Sequence, residues 1–278
     1  GIKSRWLLLL PFMLLLVCHK PRPPLRVSVL DVGQGLAVFI EASDRLLVYD
    51  TGPLYSPQFN AGSGVIARFI RRRGYTAIET LVISHGDMDH AGGYLGLNDS
   101  LEVKQSLLAP GYFDKIAQTS SFDSRNISQC ISGKSWSWPI QSDLYLPKEQ
   151  IYFDVLMPIK KYFSQVIPDE NNFSCVLVIR WRDKSILLAG DIEKSAESFF
   201  LQRYNLPPVS LLVAPHHGSK TSSSKPFIGM LKPKHVFFQR VIGITLGIHI
   251  RMWLIVIGHW VPRCGIQHLV AVLALSGI

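Results

Sequence analysis

The segment His85-Gly86-Asp87-Met88-Asp89-His90 carries two imidazoles and two carboxylates within six residues, at the end of the apolar run ETLVIS. Such groups, brought together where a buried strand opens into a loop, can bind a borderline or hard divalent cation such as Zn²⁺ or Mn²⁺. For a single His or Asp at a strand end, turn chemistry is the ordinary explanation. Four such groups followed by the small residues Ala91, Gly92 and Gly93 point to metal instead. Asp191 closes the run SILLAG, where its carboxylate could bridge two ions or cap the helix that begins at EKSAESFF; both readings stay open. Pro215-His216-His217-Gly218-Ser219 closes a third apolar run, and adjacent imidazoles at a strand end rarely serve packing, so at least one of His216 and His217 is a candidate ligand. Beyond them, Lys220, Thr221 and Ser222–Ser224 could hold phosphate oxygens or form a solvated loop.

Positioning these groups requires strands that end in the same place. LRVSVLDVG (25–33), LAVFIEA (36–42) and RLLVYDTG (45–52) are aliphatic or β-branched runs closed by Gly, Asp or Thr. Apolar residues at Val65, Ile66, Phe69 and Ile70 predict a helix over 62–75, ended by Gly74. ETLVISH (79–85) reads as a strand covered on both faces. Residues 101–160 are strand-rich and include Trp136 and Trp138; 173–191 reads as a hairpin, EKSAESFFLQRY as a helix, VSLLVAP (209–215) as a strand and KPFIGMLKP as a short helix. Strands alternating with helices give an α/β (α+β) layered class, and strand-end placement of all three ligand clusters is the usual arrangement of such sites.

The chain's 278 residues and 47% apolar content allow one substantial core and exclude a disordered chain. A net charge of +9 suits a polyanionic partner, nucleic acid or anionic lipid, without identifying one. Arg71-Arg72-Arg73 leans slightly toward nucleic acid, although such a run is ordinarily a solvated face. Cys18, Cys130, Cys175 and Cys264 lack CxxC spacing, which argues against a structural zinc knuckle. Residues 6–18 are apolar throughout, shorter than the roughly 20 residues of a full membrane span. With Gly1 no natural start, residues 1–20 read as the end of a transmembrane helix, with a signal peptide second and a buried helix third. Basic residues on both sides leave its orientation open, and a Pro-rich linker, 21–26, follows.

HxDxDH, the later AGD and PHHGS, and the upstream LDVGQG and DTG together resemble the metallo-β-lactamase fold. More closely, they resemble the C-terminal metallo-β-lactamase-like domain of ComEC-type DNA-internalisation competence proteins, from about Leu25 to Gln239, including CISGKSWSW and NNFSCVLVI. The resemblance implies a four-layer αββα sandwich over 27–239 that holds two divalent ions, Mn²⁺ or Zn²⁺. His85 and Asp87 would bind the first ion, Asp89 and His90 the second, Asp191 would bridge, and His216 or His217 would complete the shell. Asp89 and Asp191 are the candidate catalytic residues. Asp87 stands where β-lactamases carry a His, which tilts the site toward Mn²⁺. Asn171 and Asn172 lie where a further family His is missing. Asp50 would order the ligand loop by hydrogen bonds, with Gln34, Ser219 and Lys220 as supporting or substrate-contacting residues. In LDVGQG the family commonly has an acidic residue where Leu36 stands. The paired recurrence of the two Cys segments in such relatives implies a Cys130–Cys175 disulfide and an oxidising compartment; two buried free thiols are the alternative.

The function so implied is that of a membrane-associated, metal-dependent nuclease acting on incoming, single-stranded DNA during natural transformation, in a bacterial inner membrane and facing the periplasm. Its partners would be DNA and the rest of the competence channel. The alternatives are a non-catalytic, decayed fragment of the uptake channel and a small-molecule ester or lactam hydrolase. The tail, 240–278, bears on that choice. It has three Arg and no Lys, Asp or Glu, and its patterning is vague. In one permitted codon choice, shifting the reading frame from Arg240 turns RVIGITLGIHIR into GYRNHFGHPHP, similar to the GYRNx(F/Y)GHP stretch of ComEC-like domains. A frameshift near Gln239–Arg240, leaving the tail without the family's last strands, is therefore expected.

Overall fold

The computed structural model of the chain describes residues 25–119, 125–140, 149–159 and 169–238, together with the backbone of 252–256. Residues 1–20, expected to end a membrane helix, lie outside the described residues, as does most of the tail. Among the described residues no helix is long and apolar enough to cross a membrane.

Two sheets face each other. The first comprises β1 (Leu25–Leu30), β2 (Val38–Ala42), β3 (Arg45–Tyr49), β4 (Thr80–Ile83), β5 (Ser106–Leu108) and β6 (Ile127–Gln129). The second comprises β7 (Ser135–Ile140), β8 (Glu149–Met157), β9 (Val176–Trp181), β10 (Lys184–Leu188), β11 (Leu211–Val213) and β12 (His235–Phe237). In each sheet the strands lie side by side in chain order, an antiparallel meander followed by parallel strands; the switch falls at β3–β4 and at β10–β11. From the tail, β13 (Met252–Val256) pairs antiparallel with β1 and covers that edge, where the sequence reading expected no strand.

The period-two alternation of the strands explains the layers. On β9, Leu177, Ile179 and Trp181 point between the sheets, whereas Val176 and Val178 point outward. On β3, Leu47 and Tyr49 point inward, and Leu46 and Val48 outward. A strand buried on both faces must be apolar without interruption, and that is why these segments show continuous rather than alternating hydrophobicity. The outer face of the first sheet is covered by α1 (Ala67–Arg72), α2 (Met88–Ala91), α3 (Tyr94–Ser100) and α4 (Pro110–Ala117). That of the second is covered by α5 (Lys194–Arg203) and α6 (Lys225–Leu231), through Phe200, Phe227 and Leu231. The result is the expected α/β/β/α stack. The helix expected over 62–75 is present as a wide turn, Gly62–Ile66, running into α1.

Two of the three arginines at 71–73 are structural. Arg71 donates to the carbonyl of Ser100 at the end of α3. Arg73 forks onto the buried carboxylate of Glu41 at 2.8 and 2.9 Å. A buried carboxylate must be paired, and this requirement accounts for Arg73 better than nucleic acid does.

Cys130, just past β6, and Cys175, just before β9, are both fully buried and form a disulfide with Cα atoms 5.8 Å apart. The free-thiol alternative is thus set aside. The bond joins the far edge of the first sheet to the middle of the second across a sequence separation of 45 residues. Denatured, unreduced protein should leave Cys130 and Cys175 unalkylated. The Cys130→Ala/Cys175→Ala variant should lose about 4 kcal/mol in chemical denaturation, from the loop-entropy relation for that separation. Alkylation of both thiols, or an unchanged midpoint, would contradict this.

Candidate metal centre

Asp50, the residue after β3, has φ 63° and a fully buried side chain. Its carboxylate accepts from the backbone N–H of Ser84 at 2.6 Å and the Ser84 hydroxyl at 2.8 Å, and it lies 2.8 Å from His90 Nδ1. The end of β3 is thereby tied to the end of β4 and to the ligand loop. Ser84 also accepts, through its carbonyl, from the N–H of Cys175 at 2.8 Å. One serine therefore links both sheets immediately before His85. A buried hydroxyl requires partners, and the Asp50 carboxylate supplies one; no local pattern in the sequence marks Ser84.

The loop backbone is held equally firmly. The carbonyl of His90 accepts from the N–H of Thr51 at 2.7 Å and its hydroxyl at 2.9 Å. The carbonyl of Asp89 accepts from the N–H of Leu36 at 3.1 Å. Gly35 sits so close that a Cβ there would fall 2.2 Å from the Asp89 oxygen, and its φ of 139° also favours glycine. This explains the second glycine of LDVGQG. Gln34 is exposed on that loop.

Across the gap, the N–H of Asp191 donates to the Ser174 hydroxyl at 3.0 Å, and the N–H of His216 to the carbonyl of Gly190 at 3.2 Å. Gly190 has φ 56°, and a Cβ there would lie 2.7 Å from that of Ser174, so the AGD turn requires glycine. The capping alternative for Asp191 is set aside: Glu193 occupies the cap position of α5, and Asp191 faces the histidines.

The side chains converge in two groups of three. His85, His90 and Asp191 have ligand atoms within 4.8 Å of one another, as do Asp89, His90 and His217. His90 Nε2 is 3.3 Å from Asp191 Oδ1, 3.9 Å from Asp89 Oδ2 and 3.2 Å from His217 Nε2. His217 Nε2 lies 3.3 Å from Asp89 and 3.6 Å from Asp191. Asp87, half-exposed, approaches His85 Nε2 at 3.5 Å. Of the histidine pair, His217 enters the cluster, while His216 lies at its edge, Nε2 4.0 Å from Asp191 Oδ2 and Nδ1 3.2 Å from Glu193 and 3.1 Å from the Thr221 hydroxyl. Asn172 is buried and accepts from the N–H of Glu193 at 3.0 Å, a supporting position. The carbonyl of Asn171 accepts from the Ser174 hydroxyl at 2.7 Å. Ser219 meets the Thr221 hydroxyl at 3.1 Å, and the Lys220 carbonyl accepts from Lys194 at 2.7 Å. Besides Ser84, sequence reasoning missed Ser174 and Glu193, whose roles depend on chain crossings that no local pattern reveals.

Electrostatically the cluster demands positive charge. Burial opposes ionisation of Asp191, yet His90, with His85 and His217 beyond it, holds that carboxyl far below the usual range. A hydrogen bond with His217 lowers Asp89, and the His85 imidazole, 3.5 Å away, lowers Asp87. Burial opposes the charge on His90, but Asp191 and Asp50 outweigh it and raise that imidazole well above its ordinary value. His85 Nε2 is buried without a hydrogen-bond partner among the described residues. An unpaired buried nitrogen, two facing Nε2 atoms and ionised carboxylates form a donor set that fits a divalent cation.

Asp50→Asn keeps the volume but removes the charge that orients His90. It should weaken divalent-metal binding about 10–100-fold in a chelator competition, with the fold retained by circular dichroism. Wild-type affinity in that variant would remove Asp50 from the site.

Residues 30–237 match the Metallo-beta-lactamase superfamily. Recombination protein 2 of Haemophilus influenzae is 29% identical over 227 residues, covering 82% of this chain and 26% of that protein. The uncharacterized protein YcaI of Escherichia coli K12 is 32% identical over 226 residues, 79% of this chain and 26% of that one. Competence protein ComA of Neisseria gonorrhoeae is 27% identical over 220 residues, 77% and 27% respectively. The chain thus spans about a quarter of the length of these relatives. The chain, an α/β/β/α stack, belongs to the metallo-β-lactamase superfamily and is similar to ComEC-type competence proteins.

Proposed function

We propose that residues 27–239 form a metal-dependent phosphodiesterase, a nuclease acting on incoming DNA during natural transformation. The observation that carries this reading is the convergence of His85, His90 and Asp191 with Asp89 and His217 around a buried, unpartnered imidazole nitrogen. In it His85 and Asp87 would hold one cation and Asp89, His90 and His217 a second, with Asp191 available to both. Two divalent ions, Mn²⁺ or Zn²⁺, would supply Lewis-acid polarisation of the phosphodiester and a water of lowered pKa; Asp87 in place of an imidazole favours the harder Mn²⁺. The chain's own contribution is to fix these groups. Asp50 and Ser84 orient His90, and Asp191 and Asp89 stay ionised among the imidazoles. The name of the Neisseria relative, Competence protein ComA, supports a role in competence. We assign the domain to the periplasmic side of a bacterial inner membrane, tethered by residues 1–20 and partnered by the rest of the channel. The Cys130–Cys175 bond supports that side, because disulfides persist in oxidising compartments.

We further propose that the reading frame shifts near Gln239–Arg240. Sequencing codons 236–252 should show the displaced frame that encodes GYRNHFGHP.

Metal titration should load wild type and leave Asp89→Ala depleted; equal metal content in both would sink the ligand assignment. With the tail restored to the shifted frame, the protein should degrade single-stranded DNA with stimulation by Mn²⁺, and the chain as it stands should do so far more slowly. An inactive restored protein would count against the nuclease reading; full activity without restoration would count against the effect assigned to the tail.

A further inference from the structure

His217 reaches the cluster on a strained stretch of backbone. Between Pro215 and Ser224, three residues that carry a Cβ, His216, His217 and Ser223, have φ of 51°, 52° and 56°. Such a conformation is kept only where the surroundings over-determine it. Here one helix supplies much of that restraint. The Glu193 carboxylate, at the cap position of α5, lies 3.2 Å from His216 Nδ1. The N–H of Lys194 donates to the Thr221 carbonyl at 3.1 Å, and its ammonium group to the Lys220 carbonyl at 2.7 Å. One turn further on, the Glu197 carboxylate accepts from the N–H of Ser223 and, at 2.8 Å, from that of Ser224.

Glu197 stands apart from the other two because it is fully buried. A carboxylate in a dry interior needs donors, and its bonds to backbone N–H groups are stronger than those between neutral groups. The two amides it binds are consecutive, so the fork fixes the direction of the chain as well as its position. The Ser223 hydroxyl is buried without a partner among the described residues, so the left-handed turn at Ser223 is held by Glu197 and not by its own side chain. From there the path back to the histidines is short and internally bonded. The Ser222 hydroxyl lies 2.8 Å from the Pro215 carbonyl and 3.0 Å from that of Ser219, and the N–H of Ser219 donates to the His216 carbonyl at 2.7 Å. A shift of Ser223 and Ser224 is therefore passed on to the histidine pair. We propose that Glu197 is a positioning residue for His217, holding the 215–224 loop so that this imidazole stands against Asp89 and His90. The effect on metal binding rests on the metal-centre reading above, whereas the placement of the imidazole does not.

The test uses the full chain and two readouts. In metal-free protein with isotopically labelled histidine, the rings of His90 and His217, whose centroids lie 5.1 Å apart, should give a nuclear Overhauser contact. Wild type should show it. Glu197→Gln, which keeps the volume but turns an N–H₂ group against a backbone N–H, should lose it. Glu197→Asp, which keeps the charge and withdraws it by one methylene, should weaken it, and serves if the glutamine variant does not fold. Phe200→Leu alters the core on the same helix, where Phe200 packs on Phe227, and should lower stability while keeping the contact. In a cobalt titration, Glu197→Gln and His217→Ala should each weaken one ion about tenfold. The double variant should be no weaker than His217→Ala alone, because the two changes act through one imidazole. The proposal is overturned if wild type lacks the ring contact, if Glu197→Gln retains it, if Phe200→Leu loses it equally, or if the losses in the double variant add. The expected ring contacts without cobalt binding by wild type would count against the metal reading and support this one.

Discussion

The imidazole of His90 is fully buried between two carboxylates, Asp50 at Nδ1 and Asp191 at Nε2, and much of the architecture serves that arrangement. Asp50 comes from the end of β3 in one sheet, and Asp191 from the end of β10 in the other. Two acids can be held in a dry interior only with a compensating positive charge and a full set of donors. Here the donors are backbone and hydroxyl groups at the strand ends, above all those of Ser84 and Ser174. The compensating charge is a proton on His90, or a cation in the position the surrounding ligands define. The ligand cluster and the packing of the two sheets are thus one electrostatic problem solved once.

Ser84 shows how closely the solution is determined. Its N–H and hydroxyl serve Asp50, its carbonyl serves Cys175, and Cys175 is bonded to Cys130 at the opposite edge of the first sheet. The hydroxyl of Tyr49, buried between the sheets, donates to the carbonyl of Cys175 at 2.7 Å. The disulfide therefore lies directly beneath the ligand loop, where it limits relative sliding of the two sheets at the position on which the ligand distances depend.

Much of this was legible in the sequence because strand-end clusters of His and Asp are dense, local and chemically unusual. HxDxDH, AGD and PHHGS mark three strand ends, and continuous apolar runs such as ETLVIS mark strands buried on both faces. What could not be read was set by chain crossings. How far His216 and His217 each reach into the cluster depends on the path of the chain past Pro215, which two adjacent identical residues do not reveal. Ser84 and Ser174 look like ordinary small residues until the two sheets meet. The arginine run at 71–73 looked available because its partners, Glu41 and the end of α3, lie far away in sequence.

The backbone at the ligand positions has a broader meaning. Asp50, His216 and His217 all have φ between 51° and 63°, a region that disfavours side chains with a Cβ by about 1–2 kcal/mol each. Glycine would relieve each of them, and each relief would delete a working side chain. Selection for thermal robustness alone would thus push these positions toward glycine. Asp and His at these positions thus give the chain chemistry at the expense of backbone ease.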